Sequence, residues 1–389
     1  MGYLDVPGLV GADPAMKVLF FANSDWYLFN FRLGLASYLR EQGIDVVMIS
    51  PPGPHVEKII AAGFRHVPLT MDRRSLNPVR EVAVILRLVR IYKREQPDLL
   101  HHFTIKSIVH GSIAARVAGI GSVVNAIAGL GYVFSSNTIL ARIIRPLVAF
   151  SIKKALGGPR TRVIFQNEAD RHLLCSGHLV DKDRTRLIAG SGVNTERFHP
   201  PPRRDFSRIK VLLASRLLWD KGIGEYVEAA RRMAPVWPEL EFLLAGDVDA
   251  GSPASISRPQ LDQWRREGAV RVLGHVADMA LLLKQVHVVV LPTAYGEGVP
   301  RILLEAAACG VPIIATDAPG CTEVVAHGVN GLLVPPKDVE ALVRALTELL
   351  DANKRLDMGI AGRAKVLEKF DEQIVFTQTF TVYRELSQV

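Results

Sequence analysis

Short runs of Val, Ile and Leu alternate with helical patterns along the whole chain, and this alternation constrains the fold more than any other feature. Such runs are typical of strands in a parallel sheet that helices cover on both faces. The predicted strands of the first half are Lys17–Ala22, Asp45–Ile49, Arg65–Pro68, Leu99–His102, Val123–Asn125, Arg162–Phe165 and Leu187–Ala189. Those of the second half are Lys210–Ala214, Glu241–Ala245, Arg271–Leu273, Val288–Leu291, Pro312–Ala315 and Leu332–Val334. The order of elements predicts an α/β fold with two domains, each built on a parallel sheet.

Three consecutive prolines, Pro200 to Pro202, lie between the two sets of strands. Proline disfavours helix interiors and central strands, so we place a linker at residues 200–206, between a first domain of residues 16–199 and a second of residues 207–370. Residues 1–15 are expected to form a loose leader. The predicted helices include Phe29–Gln42, Pro78–Glu95, Arg301–Cys309 and, at the end, Asp371–Leu386. A ligand is expected in the cleft between the domains, beyond the carboxyl ends of the strands.

Composition excludes several classes of protein. Of 389 residues, 49% are apolar and 22% charged, which supports a sizeable core and excludes global disorder. The three cysteines include no CxxC pair, which argues against a disulfide framework or a thiolate zinc site. The chain has no uncharged apolar stretch of about 18 residues, so no helix is predicted to cross a bilayer. The first residues show no export signal.

The formal net charge of +8 is concentrated in the first half, because residues 1–200 carry +10 and residues 201–389 carry −2. This excess suits nucleic acid, an anionic membrane or a phosphorylated substrate as partner. Two predicted helices have basic faces. The face of Pro78–Glu95 is formed by Arg80, Arg87 and Arg94, and Arg73 and Arg74 precede this helix. The face of Thr138–Leu156 is formed by Arg142, Arg145 and Lys153. The first face suits a membrane and solvent equally, whereas the second favours contact with a membrane or a lipid diphosphate.

The strand Val288–Leu291 leads into a glycine-containing loop and then the helix Arg301–Cys309. Free N–H groups and the positive dipole end at such a helix start favour a diphosphate, and Gly296 and Gly298 permit close approach of a ligand. Glu297 lies in this loop, and Glu305 lies about 7.5 Å further along the axis from Pro300. Their carboxylates suit the hydroxyl groups of a sugar and a ribose. Glu305 is the only charge in Ile302–Cys309, so it requires a partner.

A second basic group follows the strand Lys210–Ala214. Arg216 leaves the end of that strand, and Lys221 with Gly222 opens the next helix. Both cations suit a diphosphate leaving group. A surface salt bridge to Asp220 is the alternative reading.

Arg216, Lys221 and the pair Glu297-x7-Glu305 together resemble the signature of the retaining, nucleotide-sugar glycosyltransferases of the GT-B fold, in their large family 4. The segments Gly320–Val325 and Asn330–Val334 also fit that family. The resemblance implies two Rossmann-like domains facing a cleft, with the C-terminal helix, residues 371–389, joining the first domain.

For the donor, the resemblance implies that Arg216 and Lys221 bind the diphosphate and that Glu305 holds the ribose. Glu297 would hold the sugar. The full donor-binding set is Arg216, Lys221, Gly274, His275, Val276, Glu297, Gly298, Val299, Pro300, Arg301 and Glu305. Within it, the amides of Gly298 and Val299 would assist Glu297, and residues 274–276 would receive the base through backbone groups.

The first half resembles a bacterial branch of the family that builds capsule, O-antigen or protein-linked glycans on undecaprenyl diphosphate. The resemblance rests on Asn23–Trp26, Asn30–Arg32, His102–Lys106, Gly129–Phe134 and Gly190–Val193. The implied acceptor-binding residues are Asn23, Asp25, Trp26, Arg32, Lys106 and Gly129. Ala128 occupies a position where many members carry a histidine, and His102 or Asp25 is the candidate replacement. The candidate catalytic residues are therefore Glu297, Arg216, Lys221 and His102.

The implied activity is retaining transfer of a hexose or N-acetylhexosamine from a UDP-sugar to a polyprenyl-diphosphate-linked glycan, at the inner face of the bacterial plasma membrane. Neither a metal nor another cofactor is expected, and Asp247-Val248-Asp249 is interpreted as a loop rather than a metal motif. A GT-B-fold UDP-sugar epimerase is the alternative. A dehydrogenase lacks its GxGxxG motif here, and nucleic-acid binding lacks an aromatic platform, since aromatic residues make up only 7%.

Overall fold

The computed structural model describes residues 16–72, 75, 77–129, 139–205, 207–249 and 251–387, with the backbone alone for residues 139–145 and 147. Several predictions therefore lie outside the described residues. They concern the leader at residues 1–15, the positions of Arg73 and Arg74, the segment 130–134 and the side chains of Arg142 and Arg145.

The first sheet has seven strands in the order β3-β2-β1-β4-β5-β6-β7. The strands are β1 Lys17–Phe21, β2 Asp45–Ser50, β3 Arg65–Pro68, β4 Leu99–Phe103, β5 Val123–Ile127, β6 Thr161–Phe165 and β7 Thr185–Leu187. All five residues of β4 are buried, as expected for a strand that is covered on both faces. β1 pairs in parallel with both β2 and β4, with Val18 opposite Val46 and Leu99. The last strand was predicted at Leu187–Ala189, but the observed strand is Thr185–Leu187. The chain then turns at Gly190, whose φ is +76°.

The second sheet has six strands in the order β10-β9-β8-β11-β12-β13. These are β8 Ile209–Ala214, β9 Leu240–Ala245, β10 Arg271–Gly274, β11 Val288–Leu291, β12 Ile313–Thr316 and β13 Gly331–Val334. Its described pairs are parallel, for example β8 with β9 and β11 with β12. One core cluster contains Leu213, Tyr226 and Phe242, and another contains Leu212, Leu243 and Leu304. Neighbouring residues of β8 thus enter different clusters, as the strand period of two requires.

The helices α1–α7 of the first half are Asp25–Phe31, Leu33–Glu41, Val56–Ala61, Pro78–Glu95, Ile105–Ala118, Ile139–Leu156 and Glu168–Ser176. Those of the second half, α8–α15, are Ile223–Met233, Arg258–Glu267, Met279–Leu283, Arg301–Ala308, Cys321–Val324, Val339–Glu348, Ala352–Lys369 and Glu372–Ser387. The single helix predicted at Phe29–Gln42 was wrong: the chain breaks at Arg32, where φ is −127° and ψ is −10°. α4 begins at Pro78 because the side chain of Asn77 accepts hydrogen bonds from the next free N–H groups.

Packing divides the chain into two compact units. One comprises residues 1–126, 149–163 and 380–389, and the other comprises residues 127–148 and 164–379. In the first unit, Tyr383 of α15 places its hydroxyl oxygen 2.5 Å from Nδ1 of His101. None of the helices in the described residues is long and apolar enough to cross a membrane.

Candidate functional site

The loop between β11 and α11 is packed tightly against three other segments of the second unit. The N–H of Glu297 donates to the carbonyl of Pro319 at 3.0 Å, and the side-chain amide of Asn167 donates to the carbonyl of Glu297 at 3.1 Å. A Cβ on Gly298 would lie 2.8 Å from the carbonyl oxygen of Ala128, and one on Gly320 would overlap the carbonyl of Gly298. Gly320 also has a φ of +85°, so glycine is required there on both counts.

Lys221 and Glu297 meet at this loop although they lie far apart in sequence. Nζ of Lys221 is 2.5 Å from Oε2 of Glu297, and their side chains are only 9% and 19% exposed. Gly222 makes the approach possible, because its φ is +72° and a Cβ there would overlap the carbonyl of Pro292. The N–H of Ala294 donates to the carbonyl of Asp220 at 2.8 Å, which fixes the two segments to each other.

The second carboxylate oxygen of Glu297 is buried and has no hydrogen-bond partner in the part of the chain that the structure describes. A carboxylate oxygen accepts hydrogen bonds only, and leaving one unsatisfied in a buried position is costly. Glu297 therefore has one oxygen held by a cation and the other available to a donor such as a sugar hydroxyl. Beside it, burial raises the pKa of Tyr295, whose ring centroid lies 6.0 Å from Nζ of Lys221.

Glu305 is buried within α11, and Arg301 supplies the partner that the sequence required. Nε of Arg301 donates to Oε1 of Glu305 at 2.8 Å, one helical turn away. Burial raises the pKa of Glu305, and Arg301 opposes that rise. α11 begins at Arg301, as predicted, and its N-cap Pro300 makes no side-chain capping hydrogen bond.

Arg216 follows β8 and His275 follows β10, the two strands on either side of β9, and each faces an aspartate of the loop after β9. Nη1 of Arg216 is 2.9 Å from Oδ2 of Asp249, and the alternative partner Asp220 makes no described salt bridge with it. Nδ1 of His275 lies 3.0 Å from Oδ2 of Asp247, and both of these side chains are exposed. The carbonyl of Gly274 accepts the N–H of Gly246 at 2.8 Å, and Val276 packs partly buried beside the core.

One N–H group that is predicted to bind the donor sugar already has a hydrogen-bond partner in this structure. The N–H of Val299, which the resemblance assigns to the sugar, donates to Oε1 of Gln166 at 3.1 Å. A ligand oxygen that takes this N–H must therefore displace the Gln166 amide. The role of Val299 in binding stays a prediction.

The predicted acceptor residues in and around α1 occupy different environments. Asn23 is half-buried, Trp26 is exposed, and the Asp25 carboxylate accepts the N–H of His55 at 2.8 Å. Arg32 is 5% exposed. Gly129 belongs to the second unit, where a Cβ on it would come within 2.9 Å of the Gly298 N–H.

The contacts of His102 argue against the predicted catalytic role. Its ring is completely buried, with Nδ1 2.9 Å from Oδ1 of Asn125 and Nε2 3.1 Å from the hydroxyl of Tyr92. Burial lowers the pKa of His102 to about 4, so the ring is neutral at pH 7. A β-strand alternates its side chains between two faces, and the face that receives His102 is core.

Lys106 is likewise engaged within the protein. Its ammonium donates to the carbonyls of Asp72 and Ser75 at 2.6 and 2.9 Å, and to the Glu81 carboxylate at 2.9 Å. These bonds use all three donors of the group, so binding of an acceptor diphosphate would require at least one of them to break. Its assignment to the acceptor stays a prediction that this geometry does not favour.

Sequence reasoning missed that Gln166, Asn167 and Pro319 hold the glutamate loop. It named Gly320 only as part of a family segment and Asp249 only as a loop residue. The signal available for Gln166 and Asn167 was their position directly after β6, where polar side chains reach the ligand edge of a parallel sheet. Among the described residues, no group of three or more His, Cys, Asp and Glu side chains is placed to hold a metal ion.

Comparison with known proteins agrees with this geometry. Residues 17–167 match the family model described as glycosyl transferase 4-like, and residues 208–352 match the model described as glycosyl transferases group 1. In Anabaena, Alr3699/HepE, solved in complex with UDP and glucose, shares the fold with a TM-score of 0.76 and 20% identity, over 96% of this chain and 100% of that one. Together the two models span most of the chain. The chain belongs to the family 4 glycosyltransferases of the GT-B fold.

Two curated relatives extend the comparison. The N,N'-diacetylbacillosaminyl-diphospho-undecaprenol alpha-1,3-N-acetylgalactosaminyltransferase of Campylobacter jejuni is 26% identical over 95% of this chain and 98% of its own length. The UDP-Gal:alpha-D-GlcNAc-diphosphoundecaprenol alpha-1,3-galactosyltransferase of Escherichia coli is 24% identical over 77% of this chain and 78% of its own. Both transfer sugars, and the epimerase alternative finds no support in these comparisons.

Proposed function

We propose that this glycosyltransferase moves a hexose or N-acetylhexosamine from a UDP-sugar to a polyprenyl-diphosphate-linked glycan, in the assembly of a surface polysaccharide or a protein-linked glycan. The observation that carries the proposal is the Glu297 carboxylate, which has one oxygen on Lys221 and a second, buried oxygen with no partner among the described residues. The full-length similarity to the Campylobacter jejuni and Escherichia coli enzymes supports a lipid-linked acceptor.

The donor diphosphate is assigned to Lys221, Arg216 and the start of α11. In the transfer, the bond between the anomeric carbon and the diphosphate oxygen breaks, and the acceptor oxygen bonds to the same carbon from the same face. The hydroxyl proton passes to the departing diphosphate, so atoms and charge balance. Negative charge grows on that diphosphate in the transition state, and preorganised cations and N–H groups at the site lower the barrier. This route retains the anomeric configuration and uses no metal.

The acceptor diphosphate is assigned to Arg32, a buried cation without an acidic partner among the described residues. Nη2 of Arg32 donates to the Tyr27 hydroxyl at 2.8 Å, and its Cζ lies 4.4 Å from the ring centroid of Phe103. Its Nε is buried and has no partner in the described ranges. Burial, and then Arg32 itself, hold the pKa of His101 well below its usual range. A buried guanidinium surrounded by neutral groups is costly unless an anion compensates it.

An anionic bilayer is the proposed docking surface, at the inner face of the plasma membrane. α4 exposes an apolar stripe, Val79, Val82 and Leu86, with Val79 76% exposed. Basic residues continue the same exposed face, namely Arg80, Arg87, Arg90, Lys93 and Arg94. Glu81 and Glu95, the acids of this helix, are engaged with Lys106 and Arg65. Apolar and basic side chains on one exposed face are typical of a helix in the headgroup region.

A transfer assay tests the proposal. The protein is incubated with a panel of UDP-sugars and a short polyprenyl-diphosphate monosaccharide, with and without EDTA. We expect one donor to yield a disaccharide whose new bond keeps the donor configuration by NMR, at an unchanged rate in EDTA. Absence of transfer from every donor, together with an epimer formed from UDP-sugar alone, would refute it. Loss of activity in EDTA that Mg²⁺ or Mn²⁺ restores would refute the metal-free route only.

Vesicle sedimentation tests the docking surface. We expect binding to anionic but not neutral vesicles at low salt, and weaker binding after Arg87→Glu. Arg344→Glu, on the exposed side of α13 in the second unit, introduces the same charge change as a control. Equal sedimentation of both variants and the unmodified protein would contradict the assignment of α4.

A further inference from the structure

Arg216 is anchored at one end only. Its side chain is 56% exposed, and its described contact is the one from Nη1 to Oδ2 of Asp249, at 2.9 Å. Nε and Nη2 make no hydrogen bond to any described residue. An exposed arginine samples many rotamers, and ordering one costs side-chain entropy. The contact with Asp249 therefore sets the orientation of the other two donor atoms, Nε and Nη2.

Asp249 is itself fixed by the backbone around it. Its side chain is only 11% exposed. The loop that carries it is hydrogen-bonded to the Arg216 loop, because the N–H of Leu217 donates to the carbonyl of Asp247 at 2.9 Å and that of Trp219 donates to Ala254 at 2.8 Å. Gly246, with a φ of +140°, lies so close to Ser215 that a Cβ would overlap its carbonyl. The backbone that carries the carboxylate is thus held by contacts that do not involve the Arg216 side chain.

We propose that Asp249 is a positioning residue for the donor diphosphate. By holding Nη1, it leaves Nε and Nη2 of Arg216 oriented toward phosphate oxygens before the ligand binds. A guanidinium held in advance loses less entropy on binding than a mobile one, and its planar fork suits two oxygens at once. The inference rests on the proposed role of Arg216 in the donor site. The opposite effect, in which Asp249 competes with the diphosphate for the cation, predicts tighter binding when the carboxylate is removed.

Asp247 offers a matched control within the same loop. It carries the same charge two residues earlier, but its carboxylate faces His275 at 3.0 Å in solvent rather than Arg216. Asp249→Asn and Asp247→Asn remove equal charge from one loop. Only the first removes the anchor of the guanidinium.

The experiment measures UDP binding by calorimetry, and uridine binding by competition, for the unmodified protein, Asp249→Asn, Asp247→Asn, Arg216→Ala and the double variant Arg216→Ala with Asp249→Asn. We expect Asp249→Asn to weaken UDP binding about five- to twentyfold, from lost rotamer order, with uridine unchanged. The KM of the UDP-sugar should rise more than kcat falls. Asp247→Asn should stay within about twofold of the unmodified protein, as exposed charge pairs contribute little.

The double variant separates positioning from folding. If Asp249 acts through Arg216, the double variant binds UDP no more weakly than Arg216→Ala, since the two residues are coupled. Unchanged or tighter UDP binding in Asp249→Asn, equal losses for UDP and uridine, or additive losses in the double variant would each overturn the inference. Normal UDP binding in Arg216→Ala would instead overturn the donor assignment itself.

Discussion

Replacing Lys221 by methionine removes the cation that faces both Glu297 and the proposed leaving group. Methionine keeps most of the length and apolar volume of the lysine stem, so the packing of this buried side chain changes little. We expect kcat/KM to fall by about 10² to 10³, because the loss of one preorganised group that faces developing charge raises a barrier by about 3 to 4 kcal/mol.

The structure sets that magnitude. The ammonium lies 2.5 Å from the Glu297 carboxylate in a site where both side chains are less than one-fifth exposed. At an effective dielectric of about 20, the ammonium and a phosphate charge about 4 Å away would interact with about 4 kcal/mol, which is the size of the expected loss. An exposed pair gives far less, typically below about 1 kcal/mol.

Steady-state kinetics with the preferred UDP-sugar measure this effect, and thermal unfolding monitors the fold. Lys354→Met is the control, because it removes the exposed pair between Lys354 and Glu348, 3.1 Å apart, away from the site. Its kinetics should match those of the unmodified protein. If Lys221→Met kept kcat/KM within threefold while remaining folded, Lys221 would not stabilise the leaving group and the electrostatic reasoning would be wrong.

Three further predictions concern other residues. Gly320→Ala should displace the Gly298 carbonyl and lower both activity and the melting temperature, whereas an unchanged KM and melting temperature would contradict the packing. Arg32→Gln should raise the KM of the lipid-linked acceptor and leave that of the donor unchanged, with partial rescue in Arg32→Lys; a shift in the donor KM alone would contradict the assignment. Because burial raises the pKa of Glu305, its ionisation opposes folding. In denaturant titrations, the free energy of unfolding of the unmodified protein should therefore fall relative to that of Glu305→Gln as pH rises above about 4. A difference between the two proteins that did not change with pH would contradict the raised pKa.

The strands could be predicted well because apolar runs in a doubly covered parallel sheet are continuous and end abruptly. Arg65–Pro68 and Val288–Leu291 agree with prediction residue for residue. The proximity of Lys221 and Glu297 could also be predicted, because residues that follow neighbouring parallel strands lie at the same edge of the sheet.

Other features depended on contacts that sequence spacing does not encode. Two adjacent histidines in β4 point to opposite faces, and both of those faces are buried, so neither His101 nor His102 was identifiable as a core residue. At the break, the guanidinium of Arg32 packs over Phe103, a tertiary contact that the sequence does not reveal. The engagement of Lys106 with residues 72–81 depends on how a loop folds back, which no local pattern reveals.

The hydrogen bond from the N–H of Val299 to Gln166 limits how much this N–H group can contribute to the affinity for the donor sugar. Whatever oxygen takes over that N–H gains only the difference between two acceptors, which is a fraction of the roughly 1 kcal/mol that one net hydrogen bond contributes. Binding would then free the glutamine side chain, which could bond to the ligand in turn. Amide exchange at Val299 should consequently be slow with or without nucleotide sugar, whereas the NMR signals of the Gln166 side-chain amide should shift on saturation.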